Sequence, residues 1–522
     1  RCPSPAVSSS RQPRKVMRIA LVSDFFCPNA GGIETHIYFL AQCLIKAGHR
    51  TVVITHAYGP REGIRYLSNG LKVYYVPFFK TGLVTIPTVL GEMPWFRWIF
   101  LRERIQIVHG HSSFSAMAHN AIFHGWQLGL RTVFTDHSLF GFADASSILI
   151  NCLLLQYSLS VVHKAICVSY TSKENTVLRC RLDPNIVSTI PNAIQTRLFL
   201  PDPEKFYRNP TTIVYLGRLV YRKGADLLCE VIPRICARYP QVNFVIGGDG
   251  EKRVDIEQVL ERADLQLRVR MLGMLPHDRV RDVLVQGQIF VNTSLTEAFC
   301  TSIVEAASCG LHVVSTRVGG VPEVLPPHYT SLAEPTPRAL FSALCDAVEM
   351  RESGRLMDPM EKHAEVAGMY VWEDVAERTI KVYESALREP RRSWRDGLQR
   401  YRSAGLGFGI IWILVSCINY LCFRLLDWLH PVEHLPDADA VDRAAVDRWR
   451  EGKSSSKRAE SREGAELQKG AESPPLTPPS LQEAARAPSS RGRPRGARGG
   501  RSDGRRRRAS WPRSCLFRSS PA

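Results

Sequence analysis

Short apolar segments alternate with helical segments along most of the 522-residue chain, and the alternating series occurs twice. The first series opens with the buried-strand pattern KVMRIALVSDFF, followed by a helix and a second strand, and its strands are expected at 15–26, 50–56, 105–111, 132–137, 164–169 and 187–193. The Pro-containing stretch LPDPEKFYRNPTT then interrupts the pattern. The series restarts with strands expected at 212–218, 243–250, 269–275, 288–294 and 312–318. Such alternation predicts parallel sheets covered by helices on both faces.

Two series joined by one linker predict an α/β protein with two Rossmann-like domains that face a cleft. Ligands in such sheets bind at the carboxyl ends of the strands, where the two domains meet. We expect a disordered N-terminal tail over 1–15, an N-terminal acceptor domain over 16–205 and a C-terminal nucleotide-sugar domain over 206–372.

A membrane segment is expected after the second domain. The sequence SAGLGFGIIWILVSCINYLCF (403–423) carries no charge, and its apolar run continues to Leu426, which is long enough to cross a bilayer. We therefore predict a closing helix and basic juxtamembrane segment over 373–402 and a transmembrane helix over 403–426. A buried core helix is the alternative. Arg residues precede the segment and acidic residues follow it, which places the domains in the cytosol and the C-terminal tail in the lumen.

The charge of the chain is unevenly distributed. The net charge is +18, but residues 486–522 alone hold twelve Arg and one Asp, a net +11. The Pro-, Ser-, Gly- and Arg-rich region over 427–522 is too poor in apolar residues to form a core, so we predict a disordered basic tail. A nucleic-acid-binding or scaffold protein is the function that this tail alone would suggest. The folded domains favour an enzyme without a nucleic-acid partner.

The loop GRLVYRKG (217–224) places two cations beside the start of a helix. Arg218 follows a strand, and Lys223 directly precedes Gly224, where the next helix opens. A guanidinium fork, an ammonium group and helix amides together suit a diphosphate. A solvated basic loop is the alternative interpretation.

The stretch TEAFCTSIVEAASCG (296–310) contains two glutamates eight residues apart. We expect Glu297 in the loop before a helix and Glu305 about two turns into it. Carboxylates accept paired hydroxyl donors, which suits sugar and ribose rings. The alternative is a charge at a helix start and a buried member of an ion pair.

These two motifs together resemble the E-x7-E signature of retaining glycosyltransferases of family 4, which have the GT-B fold. Glu297 and Glu305 fill the two glutamate positions, and NAGGIETH (29–36) resembles the glycine loop of that family. Longer stretches, among them HGHSSFSAMAH and STRVGGVPEVLP, resemble the branch that transfers N-acetylglucosamine to phosphatidylinositol. The resemblance extends over residues 16–430.

The resemblance implies a role for each motif residue. The donor diphosphate would contact Arg218, Lys223, Gly31 and Gly32. Glu305 would hold the nucleotide ribose. The catalytic contacts to the donor sugar would come from Glu297 and His111. His109 is the second candidate for the donor-sugar contact assigned to His111. On the acceptor side we expect His137 and His109.

The reaction implied is transfer of N-acetylglucosamine from UDP-GlcNAc to phosphatidylinositol, the first step of glycosylphosphatidylinositol (GPI) anchor biosynthesis. The family retains anomeric configuration and needs no protein nucleophile. No Asp-x-Asp stands at a strand end, so we expect a metal-independent reaction without a cofactor, although the crowded histidines leave metal binding as an alternative. The resemblance further implies other membrane subunits and a site on the endoplasmic reticulum membrane. A family 4 transferase with a different lipid or sugar acceptor is the alternative function.

The segment EMPWFRWIFLRERI (92–105) interleaves aromatic and basic residues. A helix with this pattern either lies on a bilayer and admits a lipid acceptor or packs on the sheet as an ordinary amphipathic helix. The sequence leaves both possibilities open.

Overall fold

The computed structural model describes residues 15–434, apart from residues 30, 83, 87, 140–154 and 405, together with residue 438. Residues 1–14 of the predicted N-terminal tail lie outside the described residues. So does nearly all of the predicted tail after 434.

The first sheet has eight strands, and β1 lies at its centre. The strand order is β10-β9-β8-β7-β1-β2-β4-β3, parallel throughout except for the antiparallel pair β3 and β4. The strands are β1 (Arg18–Val22), β2 (Arg50–His56), β3 (Gly63–Tyr66), β4 (Lys72–Val76), β7 (Ile107–His111), β8 (Arg131–Asp136), β9 (Lys164–Cys167) and β10 (Val187–Thr189), with a separate hairpin of β5 (Lys80–Thr81) and β6 (Val84–Thr85). The accompanying helices are α1 (Gly32–Lys46), α2 (Val89–Arg102), α3 (Ala116–Gln127), α4 (Gln156–Ser160) and α5 (Tyr170–Cys180).

The second sheet has six parallel strands in the order β13-β12-β11-β14-β15-β16. Its strands are β11 (Thr212–Leu216), β12 (Asn243–Gly247), β13 (Val269–Gly273), β14 (Ile289–Asn292), β15 (His312–Thr316) and β16 (Thr330–Ala333). The helices of this half are α6 (Pro203–Phe206), α7 (Ala225–Arg238), α8 (Arg253–Arg262), α9 (Val280–Leu284), α10 (Thr301–Ser308), α11 (Pro337–Glu352) and α12 (Pro359–Met369).

In each sheet the strand order runs outward in two directions from the first strand of that series. In the first sheet β1 lies between β2 and β7, and in the second β11 lies between β12 and β14. The loops that follow these strands diverge to opposite faces and leave a crevice, which is where ligands bind in doubly wound sheets.

The predicted strands are present, and most begin later or end earlier than the apolar runs; β2 matches its predicted range, and β8 begins one residue earlier, at Arg131. For example, the run at 15–26 contains β1 only over Arg18–Val22, because the chain then turns into a polar loop. The strands β3, β4 and β16 were not predicted. β3 carries a polar, partly exposed pattern at the sheet edge, and β16 is no more than partly buried along most of its length.

The helix α13 (Trp372–Arg388) returns from the second half of the molecule to the first. Its Val375, Ile380 and Tyr383 pack in the core of the first sheet with Ile37 and Leu40 of α1. The chain therefore crosses between the two halves a second time after β16.

Two helices complete the described chain, α14 (Trp394–Ala404) and α15 (Leu406–Leu429). Among the described residues, Gly407–Leu429 is the one helical stretch long and apolar enough to cross a membrane, three residues later at its end than the predicted Leu426. One side of α15 packs on the first half of the molecule: Trp412 contacts the ring of Phe123, and Asn419 donates to Gln127 at 2.6 Å.

The helix α2 packs on the first sheet, as the second interpretation of residues 92–105 predicted. Phe96, Ile99 and Phe100 are fully buried there. Arg97 is also buried and binds Asp427 of α15 at 2.6 Å. Trp95 is the exposed aromatic of the segment.

Candidate functional site

The predicted site residues lie at the two crevices of the sheets. Arg218 and Lys223 follow β11, and Glu297 follows β14, its neighbour in the second sheet. Gly31 and Gly32 follow β1, with Gly32 the first residue of α1, while His109 and His111 lie in the second half of β7, the neighbour of β1 in the first sheet. Three loops and one strand thus supply these candidate residues.

Lys223 and Glu297 form an ion pair between their two loops. The Lys223 ammonium contacts Glu297 Oε1, which also accepts a hydrogen bond from Ser294 Oγ at 2.9 Å. Burial alone would lower the pKa of Lys223, but the charge of Glu297, the neighbouring Cys300 and the hydrogen bond to Glu297 together outweigh it, and the pKa is raised. The ammonium group is therefore charged across the physiological range.

The loop that carries Lys223 is held in place by a left-handed glycine. Gly224 has φ +68°, and a Cβ at this position would lie 1.8 Å from the carbonyl oxygen of Thr293. Thr293 Oγ1 in turn donates to the Lys223 carbonyl at 2.8 Å. Only glycine permits this approach, which fixes Lys223 beside the loop that follows β14.

The backbone of the loop after β15 also comes close to the backbone of Glu297. The Gly320 amide donates to the Glu297 carbonyl at 3.0 Å, and a Cβ on Gly319 would lie 2.1 Å from that same oxygen. The loop after β15 thus packs directly on the backbone of Glu297. This packing fixes the direction in which the Glu297 side chain leaves the loop.

Arg218 faces the first half of the molecule. Its guanidinium donates no hydrogen bond to any residue that the structure describes, and its side chain is exposed. Burial raises the pKa of Glu34 in the first turn of α1, and the charge of Arg218 opposes this rise. The Arg218 guanidinium therefore lies close enough across the cleft to interact electrostatically with the start of α1.

The glycine loop has little space for a side chain at its first position. A Cβ on Gly31 would lie 2.4 Å from the Glu34 carboxylate, whereas Gly32 has open space around it. Gly31 has an extended backbone and precedes the first residue of α1, so the free amides of this helix start at the cleft.

A cavity of about 230 Å³ lies between the two halves. Its first-half wall includes Gly31, Gly32 and His36, and its second-half wall includes His277 and Glu305. Glu305 Oε1 lies 3.7 Å from His277 Nε2, and this contact raises the pKa of His277. The helix α10 begins at Thr301, so Glu305 lies about one turn into it rather than the two turns expected.

Four histidines of the first half form one cluster, His36, His109, His111 and His137. His111 Nδ1 lies 3.3 Å from His137 Nε2, and the rings of His109 and His111 are 4.0 Å apart. His109 also bonds Thr135 Oγ1 at 2.6 Å and Tyr383 Oη at 2.7 Å. Burial holds the pKa of His109, His111 and His137 well below the usual value, so these rings are neutral at pH 7.

His36 completes this cluster and separates it from the cavity. Its ring centre is 4.7 Å from that of His137 and 5.4 Å from that of Trp372, and burial lowers its pKa to about 4. Nitrogen atoms of His36, His111 and His137 lie within 4.8 Å of one another. Among the residues that the structure describes, these three form the group that could hold a metal ion. His111 itself is fully buried, and its Nε2 has no hydrogen-bond partner among the described residues.

Three residues of the site were not predicted from the sequence: His36, Trp372 and His277. A signal for His36 was available, since it shares the apolar phase of Ile37, Leu40, Ala41 and Leu44 on α1 and therefore points inward. No local sequence pattern indicated Trp372, because it reaches the cavity only when α13 packs back onto the first half.

Two family descriptions match parts of the chain. "PIGA (GPI anchor biosynthesis)" matches residues 56–144, and "Glycosyl transferases group 1" matches residues 197–363. These matches fall on the first and second sheets respectively.

Curated relatives match most of the chain. A phosphatidylinositol N-acetylglucosaminyltransferase subunit of Arabidopsis thaliana is 52% identical over 426 residues, which are 81% of this chain and 94% of the relative. The human protein of the same name is 55% identical over 416 residues, 79% of this chain and 85% of the relative.

Among solved structures, sucrose-phosphate synthase of Thermosynechococcus elongatus matches 71% of this chain and 98% of its own, with a TM-score of 0.58 and 20% identity. This likeness concerns the fold. It confirms the predicted GT-B arrangement of two α/β halves.

Proposed function

The chain belongs to the same family of phosphatidylinositol N-acetylglucosaminyltransferase subunits as these relatives, and from this membership we propose how its cleft performs the reaction. The function is transfer of N-acetylglucosamine to phosphatidylinositol, the first step of GPI-anchor biosynthesis. UDP-GlcNAc is the donor in this proposal, and its phosphates and sugar occupy the cleft between the two sheets.

The ion pair of Lys223 and Glu297, beside the exposed guanidinium of Arg218, is the observation that supports the donor site. In this proposal the donor diphosphate takes the place of Glu297 as the partner of Lys223. Arg218 contacts the same phosphates, together with the amides at Gly31 and Gly32. These charges stabilise the diphosphate as it leaves.

Glu297 and Glu305 have different tasks because their surroundings differ. Glu297, once released from Lys223, accepts hydrogen bonds from the hydroxyls of the donor sugar. Glu305 lines the cavity beside His277 and accepts hydrogen bonds from the two ribose hydroxyls.

The neutral histidines provide polar contacts without adding charge. Because His111 is uncharged at pH 7, it acts on the donor sugar near the reacting carbon as a hydrogen-bonding group. For this contact the donor must reach past His36, which forms the cavity wall in front of it. His137 and His109 hold His111 in position and lie toward the acceptor.

We further propose that the anomeric configuration is retained, that the acceptor hydroxyl attacks from the face of the leaving diphosphate, and that no protein nucleophile takes part. The leaving phosphate accepts the acceptor proton. Arg218 and Lys223 supply the positive charge that a divalent ion supplies in other transferases, so the reaction needs neither metal nor cofactor.

In this proposal α15 anchors the enzyme in the endoplasmic reticulum membrane as a single span, with both α/β halves in the cytosol and the tail in the lumen. The relatives are named as subunits, which supports assembly with further membrane subunits. A span after both halves holds the cleft next to a lipid acceptor. To cross the bilayer, α15 must give up the contact of Asp427, at its lumenal end, with Arg97 of the first half.

The test is product formation by membranes that carry Arg218→Ala or Glu305→Ala in cells lacking the endogenous enzyme. With labelled UDP-GlcNAc, thin-layer chromatography should detect less than about one hundredth of the GlcNAc-phosphatidylinositol formed by the wild type. Arg222→Ala, an exposed cation on the same loop, is the control and should retain activity. Normal turnover in both site variants would exclude the proposed donor site.

A further inference from the structure

A second cavity, of about 170 Å³, lies away from the cleft. Its lining comes from Gln156 and Ser160 in α4, residues 180–183 and Ile186 before β10, and Arg392, Arg400 and Ser403 around α14. Because these segments precede the starts of β9 and β10, the cavity lies toward the amino ends of the parallel strands. Substrates of doubly wound folds bind at the opposite, carboxyl ends.

Two guanidinium groups converge in this cavity. Arg392 Nη1 and Arg400 Nη1 both point at the Ser160 carbonyl oxygen, at 3.5 Å and 3.4 Å. Burial, followed by the charge of Arg400, lowers the pKa of Arg392 to about 10. A third cation, Arg181, lines the same cavity from the end of α5. Arginines crowd together in this way where an anion can bind between them.

The acidic groups nearby are bound to other donors. Asp183 accepts a hydrogen bond from the Asn185 amide at 2.9 Å, and Asp396 accepts one from the Ser393 amide at 3.1 Å. Glu389 binds Lys164 at 2.7 Å and lies 4.0 Å from Arg392. The lining itself holds three arginines against one carboxylate, that of Asp183, so its formal charge is positive. The Arg181 guanidinium donates to none of the residues that the structure describes.

The cavity adjoins the membrane helix. Ser403 lines it, and the apolar helix α15 begins three residues later at Leu406. Leu182 and Ile186 form an apolar part of the wall. A ligand here can place an anionic group among the arginines while its apolar part follows the surface toward the bilayer.

We propose that this cavity binds the phosphate of an anionic membrane phospholipid, at a site separate from the catalytic cleft. Arginine forks match phosphate oxygens two at a time, and basic pockets beside membrane helices suit lipid headgroups. Free phosphate shares the anionic group but lacks the chain that the apolar wall would contact, so the site selects the lipid.

The test uses the full chain, purified in a neutral detergent and titrated with dioctanoyl phosphatidylserine, dioctanoyl phosphatidylcholine or inorganic phosphate. Binding is followed by native mass spectrometry. Phosphatidylserine should bind at least tenfold more tightly than either other ligand. Arg400→Gln and Arg181→Gln should each weaken its binding about tenfold, as expected for loss of a charged hydrogen bond.

Arg395→Gln and Arg402→Gln remove the same charge from exposed positions on α14 that do not line the cavity. They should change the affinity less than twofold. Arg181 is exposed, so its substitution tests the site even if Arg400→Gln perturbs folding. Equal binding of phosphatidylcholine, full competition by inorganic phosphate, equal loss in the α14 controls, or unchanged binding in both cavity variants would each overturn the proposal.

Discussion

The two walls of the cleft use polar groups in opposite ways. The second-half wall carries formal charges that face the cleft, with Lys223 paired to Glu297 and Arg218 exposed. The first-half wall carries buried neutral rings, with His109, His111 and His137 packed behind His36. One wall is therefore suited to hold phosphates, and the other to contact sugar and acceptor hydroxyls without a charge of its own.

The charged wall should show the largest effect of a single substitution. Lys223→Met removes the ammonium group at the diphosphate and should lower kcat about 100- to 1,000-fold, because stabilisation of the leaving group is lost. Initial rates with labelled UDP-GlcNAc measure this effect. Arg222→Met is the matched control on the same loop, and an equal loss in both would remove the distinction between the two positions.

The backbone that holds this wall can be tested by a pair of glycines. Gly224→Ala places a Cβ 1.8 Å from the Thr293 carbonyl at φ +68°, and should destabilise the protein by about 3 kcal/mol or more. Gly354 has nearly the same φ of +67° with open space around it, so Gly354→Ala should cost only about 1 kcal/mol. Thermal melting of the two variants gives the difference. Equal melting temperatures would show that the loop yields to the extra atom.

The neutral wall predicts a loss of stability in acid. The pKa of His36 is about 4 in the folded chain and about 6.5 when unfolded. Between these values the unfolded chain binds a proton that the folded chain does not, so stability falls as the pH drops from 6.5 toward 4 and levels off below. From pH 7 to pH 5 this one ring should account for about 2 kcal/mol.

His36→Asn should reduce this pH dependence, as measured by melting temperatures at pH 5 and pH 7. His328→Asn, at an exposed position, is the control. If the melting temperature of His36→Asn changes between pH 7 and pH 5 as much as that of the wild type, protonation of the cluster does not destabilise the fold.

The smallest effect is expected at a half-exposed position of the second-half wall. His277 lies 3.7 Å from Glu305 and is half exposed. His277→Gln should raise KM for the donor about two- to threefold with little change in kcat, since it alters only an exposed contact of the proposed ribose ligand. A large fall in kcat would instead place His277 in the chemical step.

The sequence predicted the charged wall more completely than the neutral one. Arg218, Lys223 and Glu297 lie in short loops directly after strands, so local pattern and sheet topology were enough to bring them together. The positions of Gly224 and Gly319 depend on close approaches between loops far apart in the chain. Such distances follow from the packed fold and leave no periodic signal.

The neutral wall depends on packing between distant segments. His109 and His111 were identified from their position at a strand end, but His36 and Trp372 arrive from α1 and α13. The local sequence pattern also could not show which histidine reaches the cavity. In the fold His36 lines the cavity, and His111 is buried behind it. One edge of each sheet was missed because β3 and β16 lack a strong apolar signal.

The return of α13 into the core of the first sheet has a mechanical consequence. The two halves are joined at two places, by the linker before β11 and by the passage from α12 into α13, and a body held at two points can turn only about the line through them. Any opening of the cleft is then expected to be a rotation about that line, and Trp372, at the start of α13, lines the cavity beside it.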